Sequence, residues 1–237
     1  MHLLNGLIMR YIWFLLLLVC ISPSIHGQTE SSFKPLLVYV NGGVNTLLSD
    51  SLSDNSDADK DSIASFYIGM YEVSVGEYNH FCKVTGYSSI VDGESNMPIT
   101  NITATDAEAY CDWLSREHGG TWRLPTSREW DYAAGLCSNI TEYAWYDSNS
   151  GGVVHEGGKK QASAHGAFDM YGNVWEWSGT GIISFSDDGY QQICSRELLG
   201  GYWGTEIDLL CAKSILREDI ASPRIGFRVL LEISVAK

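Results

Sequence analysis

Three times between residues 74 and 129 the chain sets a hydroxyl residue three positions ahead of a glutamate. The stretches are Ser74-Val-Gly-Glu77, Thr105-Asp-Ala-Glu108 and Thr126-Ser-Arg-Glu129. In such a pair the hydroxyl accepts from the N3 amide and the glutamate reaches back to the cap amide. Its charge also suits the positive end of the helix dipole. The spacing therefore predicts three helix starts. The first helix runs to about Val84 and stops before Gly86. The second turns Ala109, Tyr110, Trp113 and Leu114 inward and stops near Gly119-Gly120. The third is short, buries Trp130 and Ala133, and stops at Gly135.

Beyond Gly135 the helical period vanishes. Gly, Ser, Asn and aromatic residues take over, with short apolar bursts. Leu36 to Val40, Ser65 to Val73, Leu198-Leu199, Ile207 to Cys211 and Ile225 to Ile233 read as strands. No internal repeat is visible. The expectation is one α+β domain over residues 36–233, with small twisted sheets and long loops. A chain of 237 residues with 45% hydrophobic residues, 8 Trp and 24 Gly can bury an aromatic core around such loops.

Arg10 precedes the apolar run Ile12 to Ile21, which is followed by Ser-Pro-Ser-Ile-His-Gly27. That is the layout of a secretory signal, and the run is short for a bilayer span. Residues 1–27 are expected to be a leader, 28–35 a loose tail, and no membrane-integral segment is expected once the leader is removed. The destination is then outside the cell, the periplasm or the secretory lumen. Net charge is −14, which argues against nucleic acid as a partner, because phosphate binding needs clustered Lys and Arg. Past the leader the cysteines are Cys82, Cys111, Cys137, Cys194 and Cys211, an odd set with no C-x-x-C. Asp57-Ala-Asp59-Lys-Asp61 begins like an EF-hand loop, but Ser62 and Ile68 stand at its sixth and twelfth positions, so it reads as a solvated linker. His80, His118, His155 and His165 form no metal-ligand spacing. His155 and His165 read as surface loop residues.

Seven segments in this order resemble one family. They are Phe66 to Val73, Ala109 to Leu114, Arg123-Leu-Pro-Thr-Ser-Arg-Glu-Trp-Asp-Tyr-Ala-Ala134 and Trp145 to Gly152. The rest are Asp169-Met-Tyr-Gly-Asn-Val-Trp-Glu-Trp177, Gly200-Gly201 and Gly226-Phe-Arg-Val229. The chain closely resembles the sulfatase-modifying-factor family, whose founding activity is formylglycine generation. The resemblance implies a formylglycine-generating-enzyme-like variant of the C-type lectin fold. It also implies a structural calcium held by Asp169 and Glu176 with the carbonyls of Gly172 and Val174. The residue types agree, since calcium takes several hard oxygens from a loop and Gly172 permits a tight turn. The alternative is that Asp169 and Glu176 cap a turn or pair with Arg228. Trp175 and Trp177 read as core.

The chain departs from the family where its chemistry resides. The resemblance places a copper-binding cysteine pair just after the Gly-Gly turn. Here positions 202–210 hold no cysteine, and only Cys211 follows. Cu(I) needs thiolate ligands, so copper is not expected. Leu199 and Tyr202 replace the usual Arg and Ser, and Ala104 stands where Trp is usual. No catalytic residue is therefore assigned. The expected function is an exported binding or surface-assembly module. Tyr202, Trp203, Glu206 and Asp208 are its first contact candidates toward a protein or surface ligand. For Trp203 a place in the core is the favoured reading. The alternative is an oxidative maturation enzyme of the same family, converting a protein cysteine to formylglycine or performing another oxidation.

Overall fold

The computed structural model describes residues 34–44, 62–88, 91–135, 139–185 and 192–233. The expected leader, most of the tail, the Asp57 to Asp61 stretch and Cys137 lie outside them. The strands are β1 (Leu37–Val40), β2 (Gly43–Val44), β3 (Ser62–Ile63), β4 (Phe66–Gly69), β5 (Trp122–Arg123), β6 (Trp175–Phe185), β7 (Gln192–Leu199), β8 (Ser214–Arg217), β9 (Ile225–Gly226) and β10 (Leu230–Glu232). The helices are α1 (Val75–Thr85), α2 (Ala104–His118) and α3 (Ser127–Ala134). Past α3 only short 3-10 turns occur among the described residues.

All three helices open with capping boxes, but the second is not the expected one. Thr103, not Thr105, caps α2: its hydroxyl accepts from Asp106 N at 3.1 Å, and Asp106 Oδ2 accepts from Thr103 N at 2.8 Å. Starting two residues earlier places Ala104 fully inside, in the aromatic cluster between α1 and α2. Glu108 is thereby released to pair with Arg196 on β7 at 2.5 Å. The other two boxes are as expected, with Ser74 on Glu77 and Thr126 on Glu129. Gly86, at φ 69°, closes α1 in the left-handed region.

One sheet runs β1-β4-β10-β5, all antiparallel, with Ile68 facing both Val38 and Leu230. A second runs β8-β7-β6-β9, with β6 and β9 parallel. The strand expected over Ser65 to Val73 is shorter, because the Gly69 amide leaves the ladder to bond Val229 O. Ile207 to Cys211 is not a strand: Ile207–Leu209 forms a 3-10 turn that tucks Leu210 fully inside. Ile225 to Ile233 splits into β9 and β10. Leu198-Leu199, expected as a strand, is the end of a much longer β6–β7 hairpin. Its register slips between Trp177 and Gly181, where the Gly179 amide bonds Pro125 O instead of β7.

Two apolar clusters hold these layers. In one, Tyr78, Phe81, Tyr110, Trp113 and Phe227 pack α1 on α2. Phe81 and Tyr110 meet edge to face at 5.6 Å, a contact worth about 1 kcal/mol beyond burial. In the other, Ile68, Trp130, Met170, Leu199 and Leu230 fill the space between α3 and the first sheet. Between strands β4, β6 and the segment before β10 lies a set of charged groups that neither cluster covers.

Candidate functional site

That set gathers around the loop leading into β6. Asp169, Gly172 and Asn173 all take positive φ (53°, 76° and 56°), so three left-handed residues fold five positions into a tight coil. Gly172 admits no substitute: a Cβ there would lie 2.0 Å from Trp145 O. Asn173 is the joint of the coil. Its amide N–H bonds Trp145 O at 2.8 Å and its carbonyl accepts from Trp203 N at 2.9 Å. Its side chain accepts from His155 N at 2.9 Å and donates to Glu72 Oε1 at 2.9 Å and His155 O at 3.1 Å.

Four ionisable groups meet behind this coil. Glu176 is 1% exposed and spends both oxygens. Arg228 Nε reaches its Oε2 at 2.7 Å, Arg228 Nη2 reaches its Oε1 at 2.6 Å, and Trp130 Nε1 donates to Oε2 at 2.7 Å. Arg228, fully buried, completes its fork on Gly69 O and Phe168 O. Trp130 and Arg228 thus explain why the Glu stands between two tryptophans. Trp177 is fully buried, with its indole N–H on Ile102 O, while Trp175 is half-buried.

The other two acids are not satisfied. Asp169 is 1% exposed; its Oδ2 accepts from Gly158 N at 2.6 Å and its Oδ1 has no partner. Glu72 is 4% exposed, and its Oε2 has none either. Burial pushes the Glu72 carboxyl well above the ordinary range, and the Asp169 charge beside it adds to the shift. Burial likewise raises Asp169, against the pull of the Gly158 amide and of Arg228. A structural cation fits the uncommitted Oδ1 of Asp169. Glu176, as placed, is already neutralised, so the pairing with Arg228 considered above is present.

The ligand candidates lie on the outer side of Asn173. Tyr202 and Trp203 are half-buried, meet edge to face at 5.2 Å, and carry the Arg224 guanidinium at 4.8 and 6.0 Å from their rings. Trp203 is pinned through its backbone: Ser150 Oγ donates to its carbonyl at 2.7 Å. Glu206 and Asp208 are exposed on the following turn. Trp145, not singled out from sequence, joins this region. His155 stacks on its ring at 3.8 Å and Lys160 sits 4.2 Å from its centroid. His165 packs on Tyr132 instead, so the two histidines have different partners.

The turn after Gly200-Gly201 buries Thr205, whose hydroxyl caps the Tyr202 amide at 2.9 Å, and Leu210. Cys211 is exposed, and partial burial followed by the Asp131 charge raises its thiol pKa. A nucleophilic or metal-binding thiol needs the opposite shift. Cys82, Cys111, Cys194 and Cys211 are all free thiols. Among the described residues no group of three or more His, Cys, Asp or Glu is arranged to hold a metal.

The fold and the coil together define a class: an α+β domain with few helices, curled sheets and a Gly-Asn coil feeding a buried carboxylate into the sheet. A family model described as "Sulfatase-modifying factor enzyme 1-like domain" matches residues 24–233, and the chain belongs to that family. The formylglycine-generating enzyme of Mycobacterium tuberculosis is 32% identical over 118 residues, 40% of this chain and 37% of that protein. A protein of Mus musculus named inactive C-alpha-formylglycine-generating enzyme 2 is 30% identical over 173 residues, 60% of this chain and 52% of its own length. The chain therefore spans about half or less of these relatives. The structure of PvdO from Pseudomonas aeruginosa shares the fold, with a TM-score of 0.65 at 20% identity, covering 85% of this chain and 96% of that one. The fold is the formylglycine-generating-enzyme-like variant of the C-type lectin fold. No helix among the described residues is long and apolar enough to cross a membrane.

Proposed function

We propose that this chain is an exported binding or surface-assembly module of the family that does not carry out copper-dependent formylglycine formation. The observation that carries this reading is the turn from Gly201 to Leu210, which contains no cysteine and is filled by Tyr202, Trp203 and Thr205. The single thiol beyond it, Cys211, has its pKa raised by partial burial and by the Asp131 charge. Two thiolates for Cu(I) cannot come from one such group. In this reading the Tyr202–Trp203 shelf with Arg224, bordered by Glu206 and Asp208, is the contact surface for a protein or surface ligand. Aromatic and Arg side chains supply most hot-spot energy.

Calcium belongs to the same reading as a structural ion. Asp169 and the carbonyls of Gly172 and Val174 are its implied holders, with Glu176 behind them. The ion would supply only positive charge to a buried acidic loop, fixing the coil that carries Trp203 through Asn173.

The test is turnover. The purified chain, incubated with Cu(I) and a Cys-x-Pro-x-Arg peptide, is expected to yield no aldehyde by mass spectrometry. Aldehyde formation, or stoichiometric Cu(I) binding that alkylation abolishes, would overturn the reading and favour the oxidative alternative. For export, sequencing the N-terminus of protein recovered from the secretory compartment should begin near residue 28. An intact Met1 there would remove that part.

A further inference from the structure

Acids outnumber Lys and Arg in this chain by 29 to 15, so a cation without an acidic partner is informative. Arg123, Arg196, Lys213, Arg217 and Arg228 each hold a carboxylate at 2.7 Å or closer. Lys83 and Arg116 lie in the last turns of α1 and α2, where the helix dipole suits a positive charge. Arg224 and Lys160 follow neither pattern. Arg224 is exposed over Tyr202 and Trp203, and Lys160 lies over Trp145. Among the described residues neither has an ion pair; beyond its ring Lys160 has a contact of 3.4 Å to Thr141 O.

One short stretch of backbone holds both cations in place. Asn173 N–H donates to Trp145 O at 2.8 Å, Trp203 N–H donates to Asn173 O at 2.9 Å, and Trp175 N–H donates to Arg224 O at 2.8 Å. Ser150 closes the group. Its hydroxyl donates to Trp203 O, and its carbonyl accepts from His155 Nε2, whose ring stacks on Trp145. The patch is therefore organised before any ligand arrives, which lowers the cost of binding. Its rings support the cations rather than offering a platform. His155 covers one face of Trp145 at 3.8 Å and Lys160 covers the other at 4.2 Å. Tyr202 and Trp203 meet edge to face at 77°, so they make no continuous flat surface for a sugar or a base. A guanidinium above a ring keeps its N–H edges free, and that fork fits a carboxylate with two parallel bonds.

We propose that this patch binds an acidic segment of a partner protein, with Arg224 taking one carboxylate and Lys160 a second. Glu206 and Asp208, exposed on the adjoining turn, reject a carboxylate and so set where the acidic run must end. The proposal rests on the binding-module reading above and narrows its ligand to a peptide rich in Asp and Glu.

A fluorescein-labelled hexaglutamate peptide is titrated with the purified full chain and followed by anisotropy. Saturable binding is expected at about 0.1 M salt and its loss at about 1 M, where screening is nearly complete. Arg224→Gln should weaken binding about tenfold and Lys160→Gln about threefold, with melting temperatures unchanged. Arg217→Gln removes a cation already paired with Asp219 and should change affinity by less than about twofold. Should Arg224→Gln not fold, Arg224→Lys, which keeps the charge and loses the fork, should bind about threefold more weakly than wild type. No binding of hexaglutamate, or an Arg224→Gln affinity within about twofold of wild type, overturns the proposal. Binding of polyuronate but not of hexaglutamate overturns the protein partner. Binding of hexalysine that Glu206→Gln abolishes overturns the acidic ligand and leaves the patch as a contact surface. Aldehyde formation in the copper test removes the binding-module reading itself, whatever hexaglutamate does.

Discussion

Glu176 and Glu72 are both buried acids behind the same coil, and they differ in one respect. Glu176 has a guanidinium, an indole N–H and no unbonded oxygen; Glu72 has one amide bond and an oxygen facing nothing. The first is complete within the chain, and the second is complete only with something added. Burial alone therefore does not separate scaffold from site. What separates them is whether the chain supplies the countercharge. The same contrast extends to the surface. Glu129 is bidentate to Arg123 at 2.7 Å and closes the capping box of α3, and Asp106 closes that of α2.

The largest break in the contrast should come from Arg228→Met. It leaves Glu176 as unsatisfied as Glu72 and should cost about 3–5 kcal/mol in urea unfolding. A loss near zero would mean that Glu176 is not held as described. Next is Trp130→Phe, which removes one donor from Glu176 and keeps most of the ring volume. About 2 kcal/mol is expected, the worth of a hydrogen bond to a charged group. Smaller again is the cap. Thr103→Ala should cost about 1 kcal/mol, whereas Thr105→Ala should stay within about 0.5 kcal/mol. The reverse order would restore the box read from sequence.

The gentlest test is acid. Burial pushes the Glu129 carboxyl up, but its bonds to Arg123 and Thr126 outweigh that and hold it below the ordinary range. A lowered folded pKa contributes stability above the unfolded value and loses it as pH falls through the folded one. Wild type should therefore weaken from about pH 5 downward. Glu129→Gln should show a flatter acid limb in a urea-midpoint series, and parallel curves would count against the Arg123 pairing.

The helices were legible because their caps are local. Ser74 with Glu77 and Thr126 with Glu129 are decided within four residues. The second cap misled because Thr103 and Thr105 each offer a hydroxyl. Thr105 with Glu108 has the expected spacing, but the box that forms pairs Thr103 with Asp106 and leaves Ala104 buried as the first helical residue. The β6–β7 hairpin was illegible because its apolar residues do not alternate against a core: Ile183 and Phe185 are exposed. Asp169 and Glu176 announced themselves by sitting in a dense motif. Glu72 did not, since its burial depends on Asn173, 101 positions away. In the sequence only the Gly172-Asn173 pair marks a left-handed turn here; that both residues take positive φ is seen in the structure. Trp145 was readable only as part of a resemblance, since its role depends on His155 and Lys160 folding back onto it.

Asn173 also sets the mechanical length between inside and outside. Its backbone carbonyl accepts from the Trp203 amide, and its side-chain amide nitrogen donates to Glu72. An interior charge and a surface indole are thus mounted on the two ends of a single residue. One side chain and one carbonyl of the same residue therefore span the wall between the buried acids and the aromatic shelf.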